Sequence, residues 1–340
     1  MIVFNIMLGK GKGGIENSFV NYCRCLINLG HKVHAIISPQ AAIEKELCAF
    51  FNIQIHYLPN LGYWDSLAKR RLKQLAKKLQ PQIILAHANR AISFCAPLQE
   101  NYTTVGISHN YSIKHLKKYS HIITVTNHLK KIILSNSPSK HSIQVLPNTY
   151  FHGGIPLAPQ QTKQVLTIGS LGRFVPKKGF EVFIQALSLL KEKNILFHAI
   201  IAGEGEQQRT LIALRKKYQL EEQLNITGWM PTSTFFSLID IFCLPSLHEP
   251  FGMVLIEAFA HRKACVTTNS EGPQEIATDQ WDALIAPIAN PAALADQLET
   301  VLSSSKIRNY LATNAYNTFI KKYSPPSISQ QLESIIQNLI

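Results

Sequence analysis

The chain has no D-x-D anywhere in its 340 residues, so the carboxylate pair that often holds Mg²⁺ or Mn²⁺ beside a diphosphate is missing. No metal is expected. It lacks G-x-x-x-x-G-K-[ST], which excludes P-loop hydrolysis. It also lacks H-E-x-x-H, so His248, beside Glu249 but without a second histidine at helical spacing, reads as an ordinary loop residue. G-x-S-x-G is absent, which argues against an α/β-hydrolase. No C-x-x-C occurs, and the six cysteines (Cys23, Cys25, Cys48, Cys95, Cys243, Cys265) lie mostly in apolar runs, where buried free thiols are expected. No run approaches the roughly 20 apolar residues of a membrane span; even residues 235–247 are broken by Asp240 and Pro245. The apolar start has no basic region or small-residue cleavage site ahead of or behind it, so it reads as a first β-strand, and a cytosolic protein is expected.

Acidic residues are scarce: 21 Asp and Glu stand against 34 Lys and Arg. The imbalance is confined to residues 1–150, with 18 basic and 5 acidic side chains, whereas residues 151–340 carry 16 of each. The N-terminal half therefore suits an anionic partner surface, and the C-terminal half suits local chemistry. Hydrophobic residues make up 46% and mean hydropathy is +0.02, enough for a full core; 17 Gly and 17 Pro exclude collagen-like and disordered classes.

The length fits two domains. Strand-like runs at 1–8, 32–37, 53–57, 82–86, 103–107, 121–125 and 143–147 alternate with helix-like stretches at 15–29, 41–51 and 65–79, the signature of parallel βαβ units. The alternation stops in a Gly/Pro/polar segment and restarts at 164–172, with further strands near 196–202, 224–227, 240–244, 264–267 and 283–286. The reading is an α/β fold of two doubly wound Rossmann-like domains. These are residues 1–150, a linker at 151–163, residues 164–322, and a C-terminal helix at 323–340 that would return to the N-terminal domain; the tail 306–340 reads as helical with an interruption at 324–326.

Three loops carry candidate chemistry. G-K-G-K-G-G-I-E (9–16) follows a strand and opens a helix, so the amides of Gly13 and Gly14, with Lys10 and Lys12, form a candidate anion site. A plain turn needing glycines at positive φ is the alternative. Gly9, Gly11 and Gly14 also match G-x-G-x-x-G, but the second strand ends without the acid that would hold a ribose, which weakens a dinucleotide reading. G-S-L-G-R-F-V-P-K-K-G (169–179) places Arg173 and Lys178 on one strand-to-helix loop, equipment for neutralising a diphosphate. In L-P-S-L-H-E-P-F-G-M-V-L-I-E-A-F-A (244–260), Glu249 and Glu257 can face one cleft at different depths, with the amides of Phe251, Gly252, Met253 and Val254 between them at a helix N-terminus. A glutamate within that apolar helix needs hydrogen-bonding partners, either ribose hydroxyls or a buried cation.

Together with G-I-S-H (106–109), L-P-N (146–148), A-G-E-G (202–205), I-T-G-W-M-P (226–231) and E-G-P-Q-E-I (271–276), these motifs run in family order, and the chain resembles a retaining GT-B glycosyltransferase of family four. That family includes lipopolysaccharide-core and phosphatidylinositol glycosyltransferases. The resemblance implies that Gly13 and Gly14 approach the donor diphosphate or sugar and that His109 contacts the transferred sugar. It implies that Arg173 and Lys178 bind the diphosphate, Glu249 the sugar hydroxyls and Glu257 the ribose. The loop of Gly228, Trp229 and Met230 would receive the base. The family often has E-G-F-G where this chain has E-P-F-G, and commonly a glycine near Arg262. No cofactor is implied, the UDP- or GDP-linked sugar being a substrate. The acceptor would be a membrane-associated glycolipid, lipopolysaccharide or other cell-surface glycan.

Residues 67–79 hold Lys69, Arg70, Arg71, Lys73, Lys77 and Lys78 without an acid, with Leu67, Ala68, Leu72, Leu75, Ala76 and Leu79 as an apolar stripe. A solvated face on a core-packed helix and contact with an anionic leaflet both fit this pattern, and Lys117, Lys118, Lys130 and Lys131 favour the leaflet. A peripheral protein at the cytoplasmic face of the membrane is expected. An NAD-linked oxidoreductase using the 9–14 loop and a basic nucleic-acid-binding protein stand as alternatives, although no aromatic-rich reader motif accompanies the lysines.

Overall fold

The computed structural model describes residues 1–11, 13–136, 141–152 and 165–340. Lys12, and the predicted linker beyond its first two positions, lie outside the described residues. The chain forms two compact units, Met1–Phe151 with Ser324–Ile340, and His152–Tyr323.

In the first unit, β1 (Ile2–Met7), β2 (Lys32–Ile37), β3 (Ile53–Tyr57), β4 (Ile83–His87), β5 (Thr103–Ser108), β6 (His121–Thr124) and β7 (Ser142–Val145) form a parallel sheet in the order 3-2-1-4-5-6-7. Alternation along β1 sends Val3 and Met7 to one face and Phe4 and Ile6 to the other, so both faces need cover. The helix Gly14–Asn28 covers the first face with Phe19, Cys23 and Leu26. Ile328, Leu332 and Ile336 of the helix Pro325–Gln337 join the same cluster. The helices Ser66–Leu79 and Ala88–Cys95 cover the other face.

In the second unit, β8 (Thr167–Leu171), β9 (His198–Ala202), β10 (Leu224–Thr227), β11 (Ile241–Leu244), β12 (Ala264–Thr268) and β13 (Leu284–Ala286) form a parallel sheet in the order 10-9-8-11-12-13. The doubly wound α/β class read from the sequence is the class observed. Each sheet reverses direction once, at β1/β4 and at β8/β11, and the crevice at the strand C-termini there is where such sheets bind ligands.

Several local expectations change. The predicted helix at 41–51 shrinks to Glu44–Cys48, because Pro39 precedes Gln40 at φ 61° and a turn occupies the start. The break expected at 324–326 is present: helical backbone ends at Tyr323 and a new helix starts at Pro325. Ser324 stands at its N-cap position, and Pro325 and Pro326 occupy its first positions, where a missing N–H costs little. Cys48 is exposed while the other five thiols are buried. Among the described residues no helix is long and apolar enough to cross a membrane.

Candidate active site

The loop leaving β8 turns at Gly179 (φ 67°), where a Cβ would stand 2.0 Å from the Pro245 carbonyl oxygen, so only glycine lets it lie against the loop leaving β11. The Leu247 amide donates to the Lys177 carbonyl at 2.8 Å, closing the two loops together. Lys178, one residue earlier, donates to Glu249 Oε2, and Ser246 Oγ donates to the same oxygen at 3.3 Å. The two side chains are 15% and 12% exposed, so the pair is shielded from bulk water yet open on one side. Gly179→Ala should lower Tm by about 4–10 °C, for a cost of at least ~2 kcal/mol from the positive φ and the clash. Melting curves of the variant check this; an unchanged Tm would show that the two loops need not touch.

Glu249 is held at its backbone as well. Its N–H donates to Glu271 Oε2 at 3.1 Å, and its carbonyl accepts from the Gly272 amide at 2.7 Å. A Cβ on Gly272 would meet the Phe251 carbonyl oxygen at 2.2 Å, which explains the glycine in E-G-P. Glu271 also takes His248 Nδ1 at 3.0 Å. The loop histidine thus braces Glu271, a residue to which the sequence reading assigned no role although it lies in a quoted motif.

Glu257 is buried in the helix Met253–Ala260, and loss of solvent pushes its carboxyl up to about 8, with Lys178 pulling the other way. The structure therefore gathers Lys178, Glu249 and Glu257 at one point. Burial thus favours the protonated form of Glu257 over the ready-charged acceptor that the motif alone implies. Gly252 turns at φ 106° to start this helix, and the amides of Met253 and Val254 open its first turn, with no carbonyl one turn ahead of them in the helix. The Phe251 ring is buried against Tyr323, 6.3 Å between centroids, so it anchors the loop and leaves only backbone for a ligand.

Arg173 is exposed on the loop leaving β8, and the methylenes of Lys178 pass 3.8 Å from where a Gly172 Cβ would stand. The same loop rests on A-G-E-G: Phe174 N–H donates to the Glu204 carbonyl at 2.8 Å, and Gly203, at φ 148°, lets the chains pass. Gly228, Trp229 and Met230 follow β10, two strands from β8 and hence roughly 10 Å away. Trp229 N–H points to Glu204 Oε1 at 3.4 Å, and its indole is largely exposed.

In the first unit, His109 follows β5 and is buried. Its Nε2 lies 3.0 Å from Nδ1 of His87, at the end of β4, with the rings stacked at 5.2 Å and 18°. Burial pushes His109 down to about 4 and His87 well below the ordinary histidine value. Both rings are neutral at physiological pH, and Nδ1 of His109 has no partner among the described residues. His87 was missed by sequence reading; its signal is a polar residue closing the apolar strand I-I-L-A-H.

The glycine loop departs from the plain-turn reading. Gly9, Gly11 and Gly13 keep backbone angles outside the left-handed region. A Cβ on Gly9 or Gly13 would lie 3.3 Å from a Glu16 carboxylate oxygen, a close approach that a small movement of that side chain relieves. Glu16 sits in the first turn of the helix Gly14–Asn28, where the dipole favours it, so a carboxylate already neighbours the proposed anion site.

The basic helix also differs from expectation. Ala68, Leu72 and Ala76 are consumed in the core, Leu67 is exposed, and the Lys69 ammonium lies over the Phe94 ring at 5.3 Å. Arg70, Arg71, Lys73, Lys77 and Lys78 remain on the solvent face.

Comparison with known proteins accords with this architecture. The model of "Glycosyltransferase Family 4" matches residues 12–150, and that of "Glycosyl transferases group 1" matches residues 158–318. The lipopolysaccharide core biosynthesis glycosyltransferase LpsE of Rhizobium meliloti is 26% identical, over 97% of this chain and 97% of its own. LpsD of the same organism is 25% identical over 97% and 96%. The Anabaena HepE structure in complex with UDP and glucose has a TM-score of 0.84 at 18% identity, covering 99% of both chains. Two adjoining family models, full-length relatives and a shared two-sheet architecture agree, and the chain belongs to the family-four glycosyltransferases of GT-B fold.

Proposed function

We propose that this glycosyltransferase moves a sugar from a UDP- or GDP-linked donor to a lipopolysaccharide-core or related glycolipid acceptor, with retention at the anomeric carbon and without a metal. The observation that carries the donor side is Lys178, gripped by Glu249 and within electrostatic reach of Glu257 at the reversal of the second sheet. UDP and glucose in HepE, and the lipopolysaccharide-core role in the name LpsE, support the substrate classes.

In this reading the bond from the anomeric carbon to the donor phosphate oxygen breaks while the acceptor hydroxyl bonds from the same face. The hydroxyl's proton passes to a donor phosphate oxygen. Negative charge grows on the diphosphate as the bond lengthens, and Arg173, Lys178 and the first-turn amides of Met253 and Val254 meet it there. Glu249 takes sugar hydroxyls and steadies Lys178, while Glu257 takes the ribose. Gly228, Trp229 and Met230 hold the base, and Gly13 and Gly14 approach the sugar or diphosphate. His109 offers Nδ1 to the sugar as a neutral ring, so activity should show no His109-dependent limb between pH 5 and 8.

A thermal-shift panel of UDP- and GDP-sugars in EDTA, followed by acceptor-dependent nucleotide release, tests this. One donor should raise Tm and turn over without added metal. Recovery only when Mg²⁺ or Mn²⁺ returns would overturn the metal-free reading.

Membrane contact follows as part of the same proposal. Just before the basic helix, Leu61 and Trp64 are 100% and 94% exposed, and Leu67 stands beside them. Apolar tips next to Arg70, Arg71 and Lys73 suit an anionic leaflet, at about 1 kcal/mol per basic residue. Reversing those three to Glu should abolish co-sedimentation with anionic vesicles at low salt, as should high salt on the parent protein. If the parent ignores vesicles and retains single-stranded RNA instead, the leaflet is the wrong partner.

A further inference from the structure

The ligand-facing end of the first sheet carries a fixed guanidinium that nothing above uses. Arg90, in the helix Ala88–Cys95, donates from Nη1 to the Leu8 carbonyl at 3.2 Å and to Asn60 Oδ1 at 3.0 Å. Asn60 is itself pinned to Ser38 Oγ and the Leu58 carbonyl, both at 2.9 Å, and Ser38 Oγ donates back to Leu8. Loops leaving β1, β2 and β3 thus hold the side chain by one edge.

The rest of the group is uncommitted. Arg90 Nε is buried with no partner, and Arg90 makes no ion pair among the described residues. A half-buried guanidinium without a counter-charge is costly unless something anionic completes it. Its central carbon lies 5.9 Å from the centroid of Tyr63, whose ring stacks on His115 at 5.2 Å and 16°. Burial, and then the charges of Lys114, Lys118 and Lys69, hold His115 below its ordinary value, so the field around the stack is positive. The acid on the neighbouring loop, Asp65, is already spent on the amides of Ala68 and Leu61, at 2.9 and 3.0 Å.

A planar forked cation beside an aromatic platform matches a sugar that bears an acidic group. Nη2, the edge of the guanidinium not committed to the loops, takes an oxygen of a phosphate or carboxylate, and the Tyr63–His115 stack lies against the apolar C–H face of the pyranose. We propose that Arg90, Tyr63 and His115 form a subsite for an anionic saccharide, so that the acceptor is recognised by a charged residue of the glycan. This rests on the reading of the first unit as the acceptor side. Phosphate on a sugar and carboxylate on a sugar share the chemistry, and the experiment separates them.

Saturation-transfer NMR on the full-length protein, with glucose 6-phosphate, glucuronate, glucose and inorganic phosphate as probes, tests the subsite. One or both charged sugars should bind saturably and at least tenfold more tightly than glucose and than phosphate alone; which of the two binds identifies the group. Arg90→Gln should remove that advantage. Tyr63→Ala, on an exposed ring whose loss does not threaten folding, should bring the charged sugar down to the level of inorganic phosphate. Equal binding of glucose and the charged sugars would overturn the proposal, and so would phosphate alone matching the best charged sugar. Binding of UDP and GDP by the parent protein is followed separately. Its absence would count against the donor reading, while charged-sugar selectivity would still stand or fall on its own titration.

Discussion

Lys178→Ala should reduce donor turnover by about 10²–10³-fold, the loss expected when one fixed donor to a developing oxyanion is removed, about 2.7–4 kcal/mol. The lysine is not a free surface charge. Its ammonium is gripped by Glu249, its stem lies along Gly172, and its loop is closed onto β11 through Gly179, so its position is set before any ligand arrives. Preorganisation of this kind favours the transition state, in which the leaving diphosphate carries most charge, more than the ground state. The variant also strands Glu249, which keeps the Ser246 hydroxyl as its side-chain hydrogen-bond partner among the described residues, and Lys178→Arg separates that effect from lost charge. Turnover is read as nucleotide release with saturating donor. A loss of less than threefold in the alanine variant would remove Lys178 from the chemistry.

Glu257→Gln should have two effects of opposite sign. The folded-state carboxyl lies near 8 against an ordinary value of 4.5. Its stability contribution is therefore fully present below about pH 4.5 and is lost as pH rises through 8, because the unfolded chain gains the freedom to ionise first. Glutamine does not titrate, so the ligand-free variant should match the parent near pH 5 and melt several degrees higher at pH 8.5, a gap on the order of a few kcal/mol. Nucleotide affinity should move the other way. A ribose that donates to the ionised carboxylate loses about 1.5–3 kcal/mol of hydrogen bonding in the variant, roughly tenfold or more in Kd. Calorimetry on the parent should show proton release on binding near pH 7, since the bound ribose and Lys178 both favour the charged form. A parent whose affinity and heat of binding ignore pH and buffer would take Glu257 out of the nucleotide site.

The candidate donor site was partly legible before any coordinates. Lys178, Glu249 and Glu257 stand out as polar residues inside loop and helix patterns that otherwise read as strand, turn and core. Their mutual arrangement was not legible. Lys178 and Glu249 are 71 residues apart, and His87 and His109 are 22 apart; no local pattern announces that either pair meets. Glu16 is a sharper case. The sequence shows an acid two residues after a glycine run, which is as consistent with a charged helix start as with a carboxylate folded back over Gly9 and Gly13. Likewise, six basic residues on a helix do not reveal that Lys69 turns inward over Phe94.

The sequence by itself determined the alternation of strand and helix, the parallel sheets that such alternation imposes, the glycines at loop exits and the family to which the chain belongs. These follow from periods of two and 3.6 residues and from motif order, information that is local or ordered along the chain. Only the tertiary structure decided that β8 lies beside β11 and β4 beside β5. That strand order joins Lys178 to Glu249 and His87 to His109. Burial then finishes what proximity begins: removal of water raises Glu257, lowers both histidines, and leaves Arg90 Nε without a hydrogen-bond partner. Solvent exclusion is a property of the whole packed unit, and no window of sequence contains it.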